Sequence, residues 1–287
     1  MKTERKRVHH RRDGEGERGQ YVLYWMQQSQ RAVHNPALEY AVRCANERRL
    51  PVCVLFVLTA GFPDANLRHY SFMLEGLQET GAALSARGIP AVLRNGEDVA
   101  AEVVAAAAAA DMLVMDRGYL RIQREWREAV VSAVHCDTVE VEGDVVVPVE
   151  LASSRHETAA RTLRPRIGKL RGDFLCPLKE IQPVVPCPRS PVAGLDFESG
   201  DSVLTELGVD RRVHPVPYFH GGHAAASCAL EAFIAGKLAR YADSRNEPAA
   251  AVCSELSPYL HFGQISPVEV ALRIQAADNV PAETREA

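Results

Sequence analysis

The fold of this chain is decided by the stretch PVCVLFVL at residues 51–58, in which every residue is apolar. A run that is apolar on all sides is typical of a strand covered by helices on both faces of a sheet. Four further runs predict strands in the same part of the chain. They are YVLYW (21–25), IPAVLR (89–94), DMLVMD (111–116) and DTVEVEGD (137–144).

Helical patterns separate these predicted strands. Pro36 opens the first helix, at a position that suits proline. Residues 66–86 carry leucines at helical spacing, residues 98–110 are rich in alanine, and residues 120–134 form a fourth pattern. The alternation predicts an α/β fold: a Rossmann-like, five-stranded parallel sheet with helices on both faces.

A ligand of such a sheet is expected beyond the carboxyl ends of its strands. Here those ends are residues 25–31, 59–63 and 116–119. The chain contains neither a GxGxxG nor a Walker A motif, so the fold alone indicates little about the ligand.

Composition limits the class of protein. The 287 residues are 47% hydrophobic and 24% charged, with a formal net charge of −4, which predicts a globular protein of one or two domains. No run of eighteen uncharged apolar residues occurs, so no transmembrane helix is expected. The seven cysteines form no CxxC pair, which favours free thiols in a reducing compartment such as the cytoplasm over a disulfide framework or a metal site.

The chain is predicted to have four parts. Residues 1–20 are interpreted as a disordered basic tail, residues 21–150 as the α/β domain, residues 151–215 as a Pro-rich linker, and residues 216–287 as the start of a helical domain. Within the linker, 153–173 holds six Lys/Arg against two acidic residues, which fits either a face for a polyanion or a solvated charged segment.

The last part predicts two long helices. Residues 223–242 form one, interrupted at Gly236, and a capping box with Ser266 as N-cap, Pro267 at N1 and Glu269 at N3 begins the other. Two helices cannot enclose a core of their own. This part is therefore expected to pack on the first domain, or the chain is truncated.

Four segments resemble class II cyclobutane pyrimidine dimer photolyases, in the same order and spacing. They are YVLYWMQQSQRAVHNPALEYA (21–41), RHYSFMLEGL (68–77), RTLRPRI (161–167) and SELSPYLHFGQISP (254–267). The resemblance implies an α/β antenna domain followed by a helical FAD-binding domain, here incomplete. It implies a lyase that repairs UV-damaged DNA, in which reduced FAD gives an electron to the pyrimidine dimer under blue or near-UV light.

Matched to the family motif, the phosphate-binding loop for FAD is Cys253, Ser254, Glu255, Leu256 and Ser257, and Tyr241 and Arg245 match the flavin-contacting helix end. Short hydroxyl side chains and free N–H groups beside a helix start suit a pyrophosphate. The alternatives are plain helix capping for the serines and a packing role for Tyr241.

The resemblance also implies an antenna chromophore, a deazaflavin or a folate. Gln27, Gln28 and Arg31 are expected either to line its pocket or to bond to the linker. Trp25 is expected in the core, and His34 and His69 are interpreted as structural because no metal-ligand partners lie at suitable spacing.

The family chain continues beyond position 287, so the catalytic residues are not assigned, and these 287 residues alone are expected to bind FAD poorly. The expected partner is DNA with pyrimidine dimers. The protein is predicted to be a cytoplasmic monomer, associated with the nucleoid if its source is prokaryotic. Two rival hypotheses are a cryptochrome-like photoreceptor and a nucleotide-binding α/β module.

Overall fold

The computed structural model describes residues 2–15 and 18–277. Its strands are β1 Val8–Arg12, β2 Tyr21–Trp25, β3 Val52–Leu58, β4 Ala91–Asn95, β5 Ala110–Asp116, β6 Asp137–Val141 and β7 Leu195–Asp196. Its first helices are α1 Lys2–Arg5, α2 Pro36–Arg48, α3 Leu67–Ala86, α4 Val99–Ala107, α5 Arg121–Ala133 and α6 Val149–Ala152. The later helices are α7 Ala160–Phe174, α8 Gly200–Glu206, α9 His223–Gly236, α10 Leu238–Ser244, α11 Ser257–His261 and α12 Pro267–Gln275.

The strands form one sheet in the order β1-β6-β5-β2-β3-β4-β7. The five predicted strands are its centre and run parallel to one another, which confirms the predicted α/β class. The sequence missed the two outer strands, which pair antiparallel with the edges of this centre.

Helices cover both faces of the sheet. One apolar cluster joins α2 and α3 to side chains such as Val54 and Val114, and the opposite cluster joins α4 and α5 to Leu55 and Leu113. Neighbouring strand residues therefore point into different clusters, as the alternation of side chains along a strand requires. Asn35 caps α2 by accepting hydrogen bonds from two backbone N–H groups of its first turn, with Pro36 at the predicted position.

The prediction of a disordered tail at residues 1–20 is wrong for the part of it that the structure describes. Strand β1 pairs with β6, and Arg7 is only 5% exposed. Its guanidinium donates to the carbonyl oxygens of Glu142, Val145 and Val146 at 2.7–3.1 Å. The basic residues that indicated a solvated tail lie instead beside acidic residues of β6, as Arg11 does beside Glu140. No local sequence pattern reveals this pairing.

The Pro-rich segment 151–215 contains more regular structure than the predicted linker. Helix α7 spans fifteen residues with Pro165 inside it, and β7 extends the sheet. Phe197 is 2% exposed and packs edge-on against Phe56 at 6.4 Å, so this segment completes one face of the core.

The final segment is helical, as predicted, and breaks at Gly236 between α9 and α10. Its apolar side chains gather around Phe72 of α3, so the segment packs on the α/β layers, as one of the two expectations stated. Ser266 caps α12 by accepting from the N–H of Val268. The predicted capping box is incomplete, because the Glu269 carboxylate bonds to His223 at 3.0 Å.

Two composition-based predictions can be compared with the structure. All seven cysteines are free thiols, as expected. Among the described residues, every helix is too short or too polar to cross a bilayer.

Candidate functional site

A cavity of about 530 Å³ opens at the carboxyl ends of β2, β3 and β5. The chain reverses its direction of travel across the sheet between β2 and β5, and ligands of open α/β sheets bind at such a switch point. The volume is in the range of small-molecule and cofactor pockets. The three predicted strand ends contribute Trp25, Gln27, Gln28, Thr59, Phe62 and Tyr119 to its walls.

The loop after β2 is shaped by a buried carboxylate. Asp116, at the end of β5, is inaccessible to solvent and accepts hydrogen bonds of 2.8–2.9 Å from the N–H groups of Gln27, Gln28 and Ser29. The Tyr24 hydroxyl donates to the same carboxylate at 2.8 Å. Burial raises the pKa of Asp116. The carboxylate therefore holds the loop folded over the switch point.

Arg31 connects this loop to the final helical segment. The side chain is fully buried and donates to Asp144 Oδ1 at 2.6 Å and to the carbonyl oxygen of Gly263 at 2.7 Å. Gln28 donates to the carbonyl oxygen of His261 at 2.9 Å. Gln27 and Gln28 line the cavity, which is one of the two expected roles. Arg31 has a structural role, but it bonds to Asp144 and Gly263 and not to the linker.

The cavity walls are rich in aromatic side chains, and the described lining residues include two histidines, His69 and His261, but no lysine or arginine. Trp25 is only 1% exposed, as expected of a core residue, and it also forms part of the wall. The rings of Trp126 and Phe62, which also line the cavity, have centroids 6.2 Å apart. The charged side chains at the walls are Asp64 and Asp144. Such a surface fits a flat, uncharged aromatic ligand better than an anionic one.

Tyr119 stands at the mouth of the cavity and is 43% exposed. Its hydroxyl donates to the buried Glu142 carboxylate at 2.5 Å, and burial together with this bond raises its pKa. His9 of β1 contacts the same carboxylate at 3.3 Å. The outer strand that sequence analysis missed thus supports the rim of the cavity.

Of the two histidines interpreted as structural, His69 also lines the cavity. His69 Nδ1 accepts from the N–H of Asn66 at 3.2 Å at the start of α3. His34 adopts a left-handed backbone with φ of 48°, and burial lowers its pKa. Among the described residues, no group of three metal-ligating side chains occurs.

The predicted flavin-contacting residues lie on the outer side of the final helical segment. Leu256 is buried in its apolar cluster, and Tyr241 packs edge-on against Phe233 at 5.4 Å. Arg245, Cys253, Glu255 and Ser257 are exposed, and Ser254 is half-buried. The Arg245 guanidinium lies 5.8 Å from the Tyr241 ring. The structure therefore anchors this segment through Leu256 and presents its polar groups outward.

The backbone of residues 253–256 is irregular. Glu255 has a φ of 60°, and within the described residues the N–H groups of Ser254 and Glu255 donate to no protein acceptor. Ser254 Oγ accepts from the N–H of Leu256 at 3.4 Å. Lys237 donates to the Cys253 carbonyl oxygen at 3.2 Å and lies 3.8 Å from Glu255. Free N–H donors beside a lysine suit a phosphate group.

Sequence reasoning missed several cavity residues because they come from helices and not from strand ends. These are His69, Tyr70 and Met73 of α3, Gln123 and Trp126 of α5, and Leu260, His261 and Phe262 around the end of α11. The sequence held a partial signal for the cavity, since Trp126 and His261 are large ring side chains on helices that flank it. Only the packing of α11 against the β2 loop shows that they share one cavity.

Comparisons with known proteins identify relatives of this chain. The curated deoxyribodipyrimidine photo-lyase of Methanothermobacter thermautotrophicus is 39% identical over 269 residues, covering 92% of this chain and 58% of the relative. That of Potorous tridactylus is 33% identical, covering 90% of this chain and 49% of the relative. The chain thus spans about half the length of the curated relatives it matches.

Solved structures share the fold. A class III photolyase from Agrobacterium tumefaciens superposes with a TM-score of 0.71 at 18% identity, and the match covers 94% of this chain and 56% of the Agrobacterium chain. An archaeal photolyase from Sulfolobus tokodaii, described with two FAD molecules, gives 0.67 at 18% identity, covering 92% and 56%. The family model "DNA photolyase" matches residues 22–188, more than half of the sequence. This chain therefore belongs to the DNA photolyase family.

Proposed function

We propose that this protein acts in the light-driven repair of cyclobutane pyrimidine dimers in DNA, as a photolyase of class II. The observation that carries the proposal is the 39% identity to a curated deoxyribodipyrimidine photo-lyase over 92% of the chain. The class assignment is supported by the segment WMQQSQRA, which here forms the loop over the cavity. The lesion flips out of the duplex at low cost because a dimer already stacks badly.

The test is photoreactivation in a host that lacks its own photolyase. The gene, with its natural flanking sequence, is expressed, the cells receive UV, and dimers in genomic DNA are counted after light or darkness. We expect dimers to disappear only in the light. Flavin binding without any light-dependent loss of dimers would favour the cryptochrome-like photoreceptor instead. If the purified protein contained ATP or AMP and no flavin, it would be a nucleotide-binding module.

We further propose that Tyr241, Arg245 and residues 253–257 contact the diphosphate of FAD. The match to the family motif supports this, as do the free N–H groups of Ser254 and Glu255. When bound, FAD would supply the electron that splits the dimer, and these residues would hold its phosphates. Titration with FAD of the protein expressed with its natural flanking sequence should show at least about tenfold weaker binding for Ser254→Ala/Ser257→Ala, a change of about 1.4 kcal/mol. The exposed Ser132→Ala, on α5, is the matched control and should bind FAD normally.

For the antenna we propose an uncharged deazaflavin and not a folate. The lining residues include Asp64 and Asp144 but no lysine or arginine, so the glutamate carboxylates of a folate would be desolvated without a counter-charge. A tricyclic ring suits the aromatic side chains of the cavity walls. Quenching of tryptophan fluorescence should show tighter binding of the deazaflavin, and tighter binding of the folate would contradict the assignment.

Two further properties remain proposals. Seven free cysteines support a reducing, cytoplasmic location, close to the DNA substrate. The monomeric state is to be checked by light scattering.

A further inference from the structure

The outer face of α7 carries the largest concentration of positive charge without an assigned role. Residues 153–173 hold a net charge of +4, whereas the remaining residues hold −8. Arg161, Arg164 and Lys169 are exposed and have no ion-pair partner among the described residues. We define these three side chains as the α7 basic face.

The opposite side of α7 is already occupied. Leu163, Ile167 and Leu170 pack against Val147 and Ala152, and Phe174 at the helix end is 2% exposed. The helix is therefore fixed to the α/β domain by its apolar stripe. The backbone positions of its cations are consequently fixed by the packing of the helix.

The positions between the cations are small. On the exposed side lie Pro165, Gly168 and Gly172, and a methyl group added at either glycine would meet no atom within 4 Å. A surface without bulky side chains allows a backbone phosphate to approach the helix closely. It also differs from a membrane-binding helix, which needs an exposed apolar face.

A neighbouring carboxylate pairs with two other arginines of this segment, which are therefore not counted in the α7 basic face. Glu157 lies 3.3 Å from Arg155 and 3.5 Å from Arg166, so those two arginines are paired. Helix geometry places Arg161 and Lys169 about 12 Å apart along the axis. Over the same length of DNA axis, one strand carries about three to four phosphates, at one per 3.4 Å.

We propose that the α7 basic face binds the phosphate backbone of duplex DNA outside the lesion site. The proposal rests on the proposed function in one respect, since repair of pyrimidine dimers brings a long duplex to this protein. Contacts of this kind carry no sequence information and position the protein on its substrate. They act before and independently of flavin chemistry.

The test is the salt dependence of binding to an undamaged duplex, measured in the dark by fluorescence anisotropy. The variant Arg161→Gln/Arg164→Gln/Lys169→Gln is compared with Arg49→Gln/Arg121→Gln/Arg124→Gln, which removes the same charge from other exposed positions. We expect the slope of log affinity against log salt to fall by about 2.7 in the α7 variant, from about 0.9 per phosphate contact. We expect the control variant to keep the slope of the unmodified chain.

Equal slopes in the two triple variants would overturn the proposal, because net charge alone would then explain the binding. Binding of the unmodified chain to anionic lipid vesicles but not to DNA would also overturn it. If the triple variant unfolds, the single variants Arg161→Gln and Arg164→Gln should each lower the slope by about 0.9. Failure of dimer repair in cells together with an α7-dependent slope would refute the proposed function and leave this inference standing.

Discussion

Arg31 is the side chain whose loss we expect to disturb this structure most. It is fully buried, and it bonds to Asp144, to the carbonyl oxygens of Gly143 and Gly263, and to that of His34 at 3.3 Å. The substitution Arg31→Met fills similar space but removes every one of these donors. Asp144, only 13% exposed at its side chain, then keeps a single hydrogen bond, from Ser29 Oγ at 2.7 Å.

The magnitude follows from the unpaired groups. Breaking a buried ion pair by removing one partner costs about 3–5 kcal/mol. We expect Arg31→Met to lower the free energy of unfolding by about 4 kcal/mol, measured by urea denaturation with circular dichroism. The exposed Arg49→Gln is the control and should change it by less than about 0.5 kcal/mol.

A second variant separates the ion pair from the rest of the site. In Arg31→Met/Asp144→Asn no buried charge is left alone, so part of the loss should return, with a coupling energy of about 2 kcal/mol. Tryptophan fluorescence should respond as well, since Trp25 and Trp126 line the cavity beside this bond. A loss below about 1 kcal/mol for the single variant would show that Arg31 does not join the loop to the helical segment.

Three other outcomes follow from particular contacts. Deletion of residues 2–12 should lower the free energy of unfolding by more than about 3 kcal/mol, because the sheet loses strand β1 and the three backbone carbonyl oxygens bonded by Arg7 lose their donor; an unchanged urea midpoint would show that β1 contributes nothing. Gly263→Ala should destabilise the chain by about 2 kcal/mol or more in the same assay, since its φ is 64° and its new methyl would lie 1.9 Å from the Gln28 carbonyl oxygen; normal stability would contradict this close approach. Burial alone would raise the pKa of Glu269, but its bond to His223 and nearby cations lower it. The stabilisation by Glu269 is therefore present above the ordinary carboxyl pKa of about 4.5 and is lost as the pH falls below that value. We expect Glu269→Gln to flatten the pH dependence of the free energy of unfolding between about pH 5 and about pH 3. A profile identical to that of the unmodified chain would refute the pairing of Glu269 with His223.

The errors made from sequence share one cause. Charge-rich β1 was predicted to be a solvated tail, and Pro-containing α7 was predicted to be linker. In both cases local composition was judged without the partner. Arg11 bonds to Glu140, about 130 positions further along the chain, and the apolar side of α7 packs against Val147 and Ala152. Isolated charge and proline content do not predict such pairings.

The sequence by itself determined the central five strands, the helices between them and the edge at which a ligand pocket opens. These features depend on the spacing of apolar residues over ten or twenty positions, and strand and helix periods differ enough to be told apart. The tertiary structure alone decided the outer strands, the cavity walls and the bond from Arg31 to Gly263. The last of these joins residues 232 positions apart, and such contacts form only when the layers pack.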